Sequence, residues 1–157
     1  MKRLLYLICV VVFAAGLSSC NKDDDPAPDP VVGSWKLDRI RTSGFTGAFA
    51  TAGYNGDNDP VVFDYQDSFI TKTDKTFTGS VRTSGRVLDY KGNWTFTNNE
   101  LSLKDDQGNE DIYTLDAAVT PNQLLSKAVS ISDSLTNPST NVVQPVTYTI
   151  QFVYTKQ

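Results

Sequence analysis

The chain has 157 residues, two cysteines and no histidine, and it carries 18 acidic against 14 basic side chains. The missing imidazole excludes Ser-His-Asp and Cys-His catalysis, His-ligated zinc and histidine-based pH switching. A net charge of −4 repels phosphate backbones, so nucleic acid is not an expected partner.

The first element reads as a leader. Lys2 and Arg3 precede an apolar run from Leu4 to Gly16. That run is shorter than the ~20 residues a bilayer span needs and has the layout of a secretory signal peptide. Leu17-Ser18-Ser19-Cys20 then resembles the lipobox of bacterial lipoproteins, in which the cysteine is acylated and becomes residue one. The resemblance implies a signal peptide over residues 1–19, lipid attachment at Cys20 and a membrane partner through that anchor. Cleavage there removes Lys2 and Arg3 from the 14 basic side chains, which leaves 12 against 18 and a net charge of −6. Cys9 leaves with the leader and Cys20 is used by lipid, so neither a disulfide nor a thiolate ligand is expected.

Residues 20–30 form the next element, a disordered tether. Asn21-Lys22-Asp23-Asp24-Asp25 cannot enter lipid, and Pro26-Ala27-Pro28-Asp29-Pro30 disfavours helix and strand alike. Extended at ~3.1 Å per residue, such a tether reaches on the order of 30 Å. A lysine followed by acidic residues after the lipidated cysteine is similar to the surface-export signal of Bacteroidetes lipoproteins. The expected location is therefore the bacterial outer membrane, displayed at the cell surface, with the periplasmic face as the alternative.

Residues 31–157 read as one β domain. The clearest strand is the last, where Val146, Tyr148, Ile150, Phe152 and Tyr154 alternate with mostly polar neighbours. Leu88, Tyr90, Gly92, Trp94 and Phe96 form a second apolar face, and Asn98-Asn99 marks a hairpin turn after it. Strands are predicted over 33–42, 61–72, 76–83, 86–97, 100–105, 110–119, 123–132 and 145–155, with Asp, Asn, Gly and Pro turns between them. Two longer connections, 43–60 and 134–144, are expected to be loops. Eight antiparallel strands with short connections between Lys75 and Pro121 predict an all-β, up-and-down barrel, and a Greek-key sandwich competes with it.

Several short motifs then resemble a known family. "VVGSWKL" looks like the Gly-x-Trp opening of the lipocalins, and "FITKTDKTFTGS…YKGNWTFTNNELSLKD…YTL" is similar to the lipocalin-like lipoproteins of Bacteroidetes. The resemblance implies a small eight-stranded barrel in which Trp35 plugs one end. Lipocalins commonly stack an arginine from the last strand on that tryptophan; the corresponding region here offers Lys156.

The candidate sites follow from this architecture. An eight-stranded barrel is just wide enough to be filled by side chains or to hold one small ligand. The inward set is Trp35, Leu37, Phe77, Val81, Tyr90, Trp94, Phe96, Leu101, Leu103, Tyr113, Leu115, Tyr148, Ile150 and Phe152. Trp35, Phe77, Tyr90, Trp94, Tyr113, Tyr148 and Phe152 are its pocket candidates, for a small apolar or amphipathic ligand. The same residues can fill the core instead, and with few small residues facing inward, Gly79 and Gly92 the obvious ones, a packed or nearly packed core is the stronger expectation. Phe45, Phe49 and Tyr54 place aromatics in the 43–60 segment, either for recognition or to close the barrel mouth.

Asp57, Asn58 and Asp59 lack the spacing of a calcium loop and read as turn residues. No acid pair has the context of a glycosidase. No catalytic residue, metal ligand or cofactor is therefore expected. The expected function is non-catalytic ligand binding at the envelope. The alternative is a solid barrel that recognises a protein or glycan through loops 43–60 and 134–144.

Overall fold

Alternation of apolar and polar residues becomes strand along most of the domain in a computed structural model, which describes residues 29–157. Cys20 and the leader lie outside the described residues. The strands are β1 Gly33–Ser43, β2 Gly56–Asn58, β3 Tyr65–Thr71, β4 Thr76–Thr83, β5 Arg86–Thr97, β6 Glu100–Asp105, β7 Glu110–Asp116, β8 Gln123–Ser126, β9 Val129–Thr136 and β10 Val143–Lys156. A short helix, α1 (Gly47–Thr51), and a 3-10 turn, Pro60–Phe63, complete the described elements.

The sheet runs β1-β3-β4-β5-β6-β7-β8-β10 and closes through β1–β10 pairing, giving an eight-stranded antiparallel barrel of up-and-down connectivity. β2 adds to β1, and β9 adds to β10, as extensions beyond the closed wall. Tight turns fix the register. Asn98 and Asn99 both take positive φ, which is the twist a two-residue hairpin needs, and Thr97 pairs with Glu100 across them.

Three expected boundaries change most, and the strand expected at 110–119 also ends early, at Asp116. The strand expected at 61–72 begins only at Tyr65, because Asp59 accepts the Val61 N–H (2.9 Å) and starts the 3-10 turn at Pro60. The 134–144 segment is mostly hairpin rather than loop: Val143 pairs with Thr136, and only residues 137–142 turn. The Asn137 carboxamide oxygen accepts the Ser139 N–H (2.8 Å) and holds that turn. Third, the strand expected at 123–132 is two strands, β8 and β9, broken at Lys127-Ala128. In β1 a bulge between Leu37 and Arg39 shifts the pleat by one residue. Trp35 and Leu37 therefore face the core first, and Ile40 and Thr42 are buried after the bulge.

One end of the barrel is sealed. Trp35 and Trp94 are each 1% exposed. The Trp35 Nε1–H donates to the Val31 carbonyl (2.8 Å), and the Trp94 Nε1–H to the Lys72 carbonyl (3.0 Å). A lysine covers each indole: Lys156 Nζ lies 5.6 Å from the Trp35 ring and Lys75 Nζ lies 3.9 Å from the Trp94 ring. Lys156 thus occupies the stacking role that lipocalins give to arginine. Phe69, Phe77, Leu101, Leu103, Leu115 and Leu124 fill the space between the two indoles and the middle of the barrel.

Candidate functional site

The other end is open, and strand pairing explains why. β7 pairs with β6 from Glu110 onward but meets β8 only from Tyr113, which faces Ser126. After Ser126 the chain turns away, and β9 pairs with β10 instead. Glu110–Ile112 therefore has no ladder on that side, and the wall parts. A cavity of about 310 Å³ occupies the gap, lined by Tyr65, Asp67, Asp111, Tyr113, Phe152 and Tyr154, with Lys127 and Val129 at its edge.

Asp67 is the central group. The alternation of β3 turns Tyr65, Asp67, Phe69 and Thr71 inward, which leaves Asp67 only 8% exposed. Its Oδ1 accepts the Tyr90 hydroxyl (2.7 Å) and its Oδ2 accepts the Tyr154 hydroxyl (2.6 Å). Gly79 makes room for the first of these bonds. A Cβ at position 79 would lie 2.3 Å from Tyr90 Cζ, so any side chain there would push the ring aside. Tyr113 packs edge-on against Tyr154 at 5.3 Å, and Tyr65 lies 5.5 Å from Phe152.

The electrostatics follow from burial without a counter-ion. Among the described residues no salt bridge includes Asp67. Desolvation pushes its carboxyl up, opposed by the bonds from Tyr154, Tyr90 and the Ser68 backbone. Asp111 is raised by its own burial and by the charges of Asp67 and Asp105. Burial, with Asp67 and Asp111 nearby, pushes the Tyr65 phenol up to about 12. The phenols of Tyr90, Tyr113 and Tyr154 move upward as well, first through burial, so all four stay protonated.

A pH effect follows, with its sign. An Asp67 carboxyl raised in the fold holds its proton more tightly than the unfolded chain, where Asp titrates near ~3.9. The folded state then binds more protons through the window above that value, so this group's contribution to stability falls as pH rises. Asp57, Asp74 and Asp105 are lowered instead, and their contributions are lost as pH falls through their folded values. Comparison with Asp67→Asn cancels those. Relative to that variant, the unmutated protein should gain stability as pH falls toward ~4 in urea titrations. Parallel curves for the two proteins would contradict the shift.

The sequence-predicted residues divide among three places. Tyr113 and Phe152 line the cavity, and Tyr90 reaches its carboxylate. Trp35, Phe77 and Trp94 lie in the sealed half, 1–2% exposed. Tyr148 leaves the barrel interior and stacks on Phe45 at 4.5 Å. Phe45 and Phe49 are buried, Tyr148 is half-buried, and Tyr54 stays 40% exposed. Asn55 accepts the Phe45 N–H (3.0 Å) and donates to the Phe45 carbonyl (2.9 Å), so the 43–60 segment is folded onto the β9–β10 hairpin rather than extended. The carboxylate of Asp57 is taken by Arg41 (2.9 Å) and Arg39 (2.8 Å), and Asp59 starts the 3-10 turn, which gives both acids structural work.

Sequence reasoning passed over Tyr65, Asp67, Asp111 and Tyr154 as site residues. A carboxylate on the apolar side of an alternating strand was the available signal, at Tyr65-Gln66-Asp67-Ser68-Phe69.

One of three comparisons with known proteins finds a match. A family model described as a lipocalin-like domain matches residues 31–124, from the approach to β1 into β8. No curated protein and no solved structure matches the chain. The lipocalin-like family is generally non-catalytic, and its barrel fits a ligand-binding role. With more than half of its length matched, the chain belongs to the lipocalin-like domain family.

Proposed function

We propose that the protein is a lipid-anchored, non-catalytic lipocalin-like carrier of the cell envelope that takes a small amphipathic molecule into the open half of its barrel. The cavity where β7 parts from β8 carries this reading, since it joins aromatic walls to a buried carboxylate. Half of the barrel is solid core, so the ligand is confined to the open half. Both Asp67 oxygens hold tyrosine hydroxyls, an arrangement that fixes a carboxylate for binding and leaves no free pair to flank a scissile bond.

The chain path supports an orientation. Asp29 pairs with Lys75, and Lys156 donates to the Pro30 carbonyl, so the tether joins the sealed end. An anchor at Cys20 then holds that end toward the membrane and leaves the mouth facing away from it. Cys20→Ala should release the protein from membrane fractions, and continued attachment would overturn the anchor. Native mass spectrometry of the delipidated protein, recovered without added ligand and then exposed to envelope extracts, tests the carrier reading. A bound species of small mass is expected; an empty barrel in every extract would contradict it.

One observation favours a second reading. Tyr54, Val61, Val62 and Phe63 are all 40% exposed or more, and the last three are consecutive on the 3-10 turn. They form an apolar edge, where the end of the 43–60 segment runs into the 3-10 turn, fit for a protein or glycan contact. A Val62→Ser, Phe63→Ser double variant should then lose partner capture with the fold unchanged, and undiminished capture would exclude this edge.

A further inference from the structure

The cavity has a sign as well as a shape, and the inference here rests on the carrier reading above. Asp67, Glu110 and Asp111 all line it, against a single basic side chain, Lys127, at its edge. Asp105 adds a further negative charge close enough to act on Asp111. Asp67 is more than nine-tenths buried, faces this space and has no cationic partner among the described residues. A buried carboxylate avoids the several kcal/mol, roughly, of an unpaired ion either by holding its proton or by meeting a cation, so a cation that enters the cavity gains a partner there.

The walls narrow what the missing partner can be. Each Asp67 oxygen already accepts one phenol and retains capacity for a further donor. Tyr65 and Phe152 present ring faces or edges beside it, surfaces that attract a cation and bury an apolar body. Among the described residues no group of three acids is arranged to hold a metal ion, so the chemistry suits a soft organic cation better than a hard one. A fatty acid or a phosphate would meet several carboxylates and one edge lysine, which disfavours both.

We propose that the open-end cavity is a binding site for a small organic cation, an ammonium group on an aromatic or otherwise apolar body. The ammonium sits against Asp67, with Asp111 at the rim, and the body packs between Tyr65 and Phe152.

Three probes with one indole body separate charge from shape: tryptamine, its neutral alcohol tryptophol and its anion indole-3-acetate. Calorimetric titration of the purified protein at neutral pH should give tryptamine at least about tenfold tighter binding than tryptophol, with indole-3-acetate weakest. Asp67→Asn should reduce tryptamine to the level of tryptophol and leave tryptophol unchanged. Asp111→Asn, at an exposed rim position whose side chain makes no hydrogen bond among the described residues, should weaken tryptamine several-fold and keeps the test valid if Asp67→Asn folds poorly. Equal affinity for the three probes, or preference for the anion, would overturn the cation assignment while leaving the carrier reading in place. Failure of all three to bind would also overturn the cation assignment, and the carrier reading would then stand or fall on the native mass spectrometry alone.

Discussion

Gly92→Ala is expected to disrupt the barrel outright. A Cβ at position 92 would lie 2.0 Å from the Lys104 carbonyl oxygen and 2.8 Å from Asp105 Cα. Both are backbone atoms of β6 and cannot swing aside as a side chain would. Gly92 pairs with Asp105 on one side and Phe77 on the other, so relief requires β5 and β6 to part beside Trp94 and Leu103. The cost should exceed the ~1–3 kcal/mol typical of overpacking in a core that can adjust. Urea unfolding should show a large drop in midpoint or no cooperative transition at all. Gly79→Ala makes the contrast: its clash is with the Tyr90 ring, a side chain, so stability should fall less while the Tyr90–Asp67 bond is lost. A Gly92→Ala protein with an unchanged midpoint would contradict the β5–β6 register.

Trp35→Ala carries the second large effect. The side chain is 1% exposed, and its removal leaves a void at the sealed end that β1 and β10, paired along its flank, cannot collapse into. Truncations of this kind cost ~3–5 kcal/mol. The Val31 carbonyl also loses the indole donor, and Lys156 loses the ring beneath it. Since small domains are stable by only ~5–15 kcal/mol, a visible unfolded fraction is expected well below the normal melting temperature. Lys156→Ala, which removes the covering charge and the hydrogen bond to the Pro30 carbonyl, should cost less, about 1–2 kcal/mol. The folded fraction of Trp35→Ala should still bind ligand normally, because the cavity lies at the opposite end. Loss of binding in that fraction would show that the two ends are coupled.

The parts of this fold that sequence displayed are those in which a local pattern does the work. β5 and β10 alternate over long stretches, and Asn98-Asn99 names its own turn. The outer end of the β9–β10 hairpin was hidden because it projects beyond the barrel and buries little, and residues 134–144 are rich in Ser, Thr and Asn. The bulge at Leu37/Arg39 was hidden for another reason: one extra residue changes which side is inward, and nothing in "KLDRI" announces it.

The site was legible only in fragments. Tyr90, Tyr113 and Phe152 followed from parity. Asp67 did not, because a search for apolar inward residues discards a carboxylate at the one position where it matters. Its partners also come from far along the chain, 23 residues away at Tyr90 and 87 at Tyr154. Only closure of β1 on β10 brings the last of these within reach of β3.

The most direct test of the open-end site is a chemical-shift map of the labelled protein titrated with tryptamine. The expected result is movement of signals from Tyr65, Asp67, Asp111, Tyr113 and Phe152, with the two indole N–H signals of Trp35 and Trp94 fixed in place. Movement centred on Tyr54 and Val61–Phe63, with Asp67 silent, would contradict it and place recognition on the apolar edge that Tyr54 forms with the 3-10 turn instead.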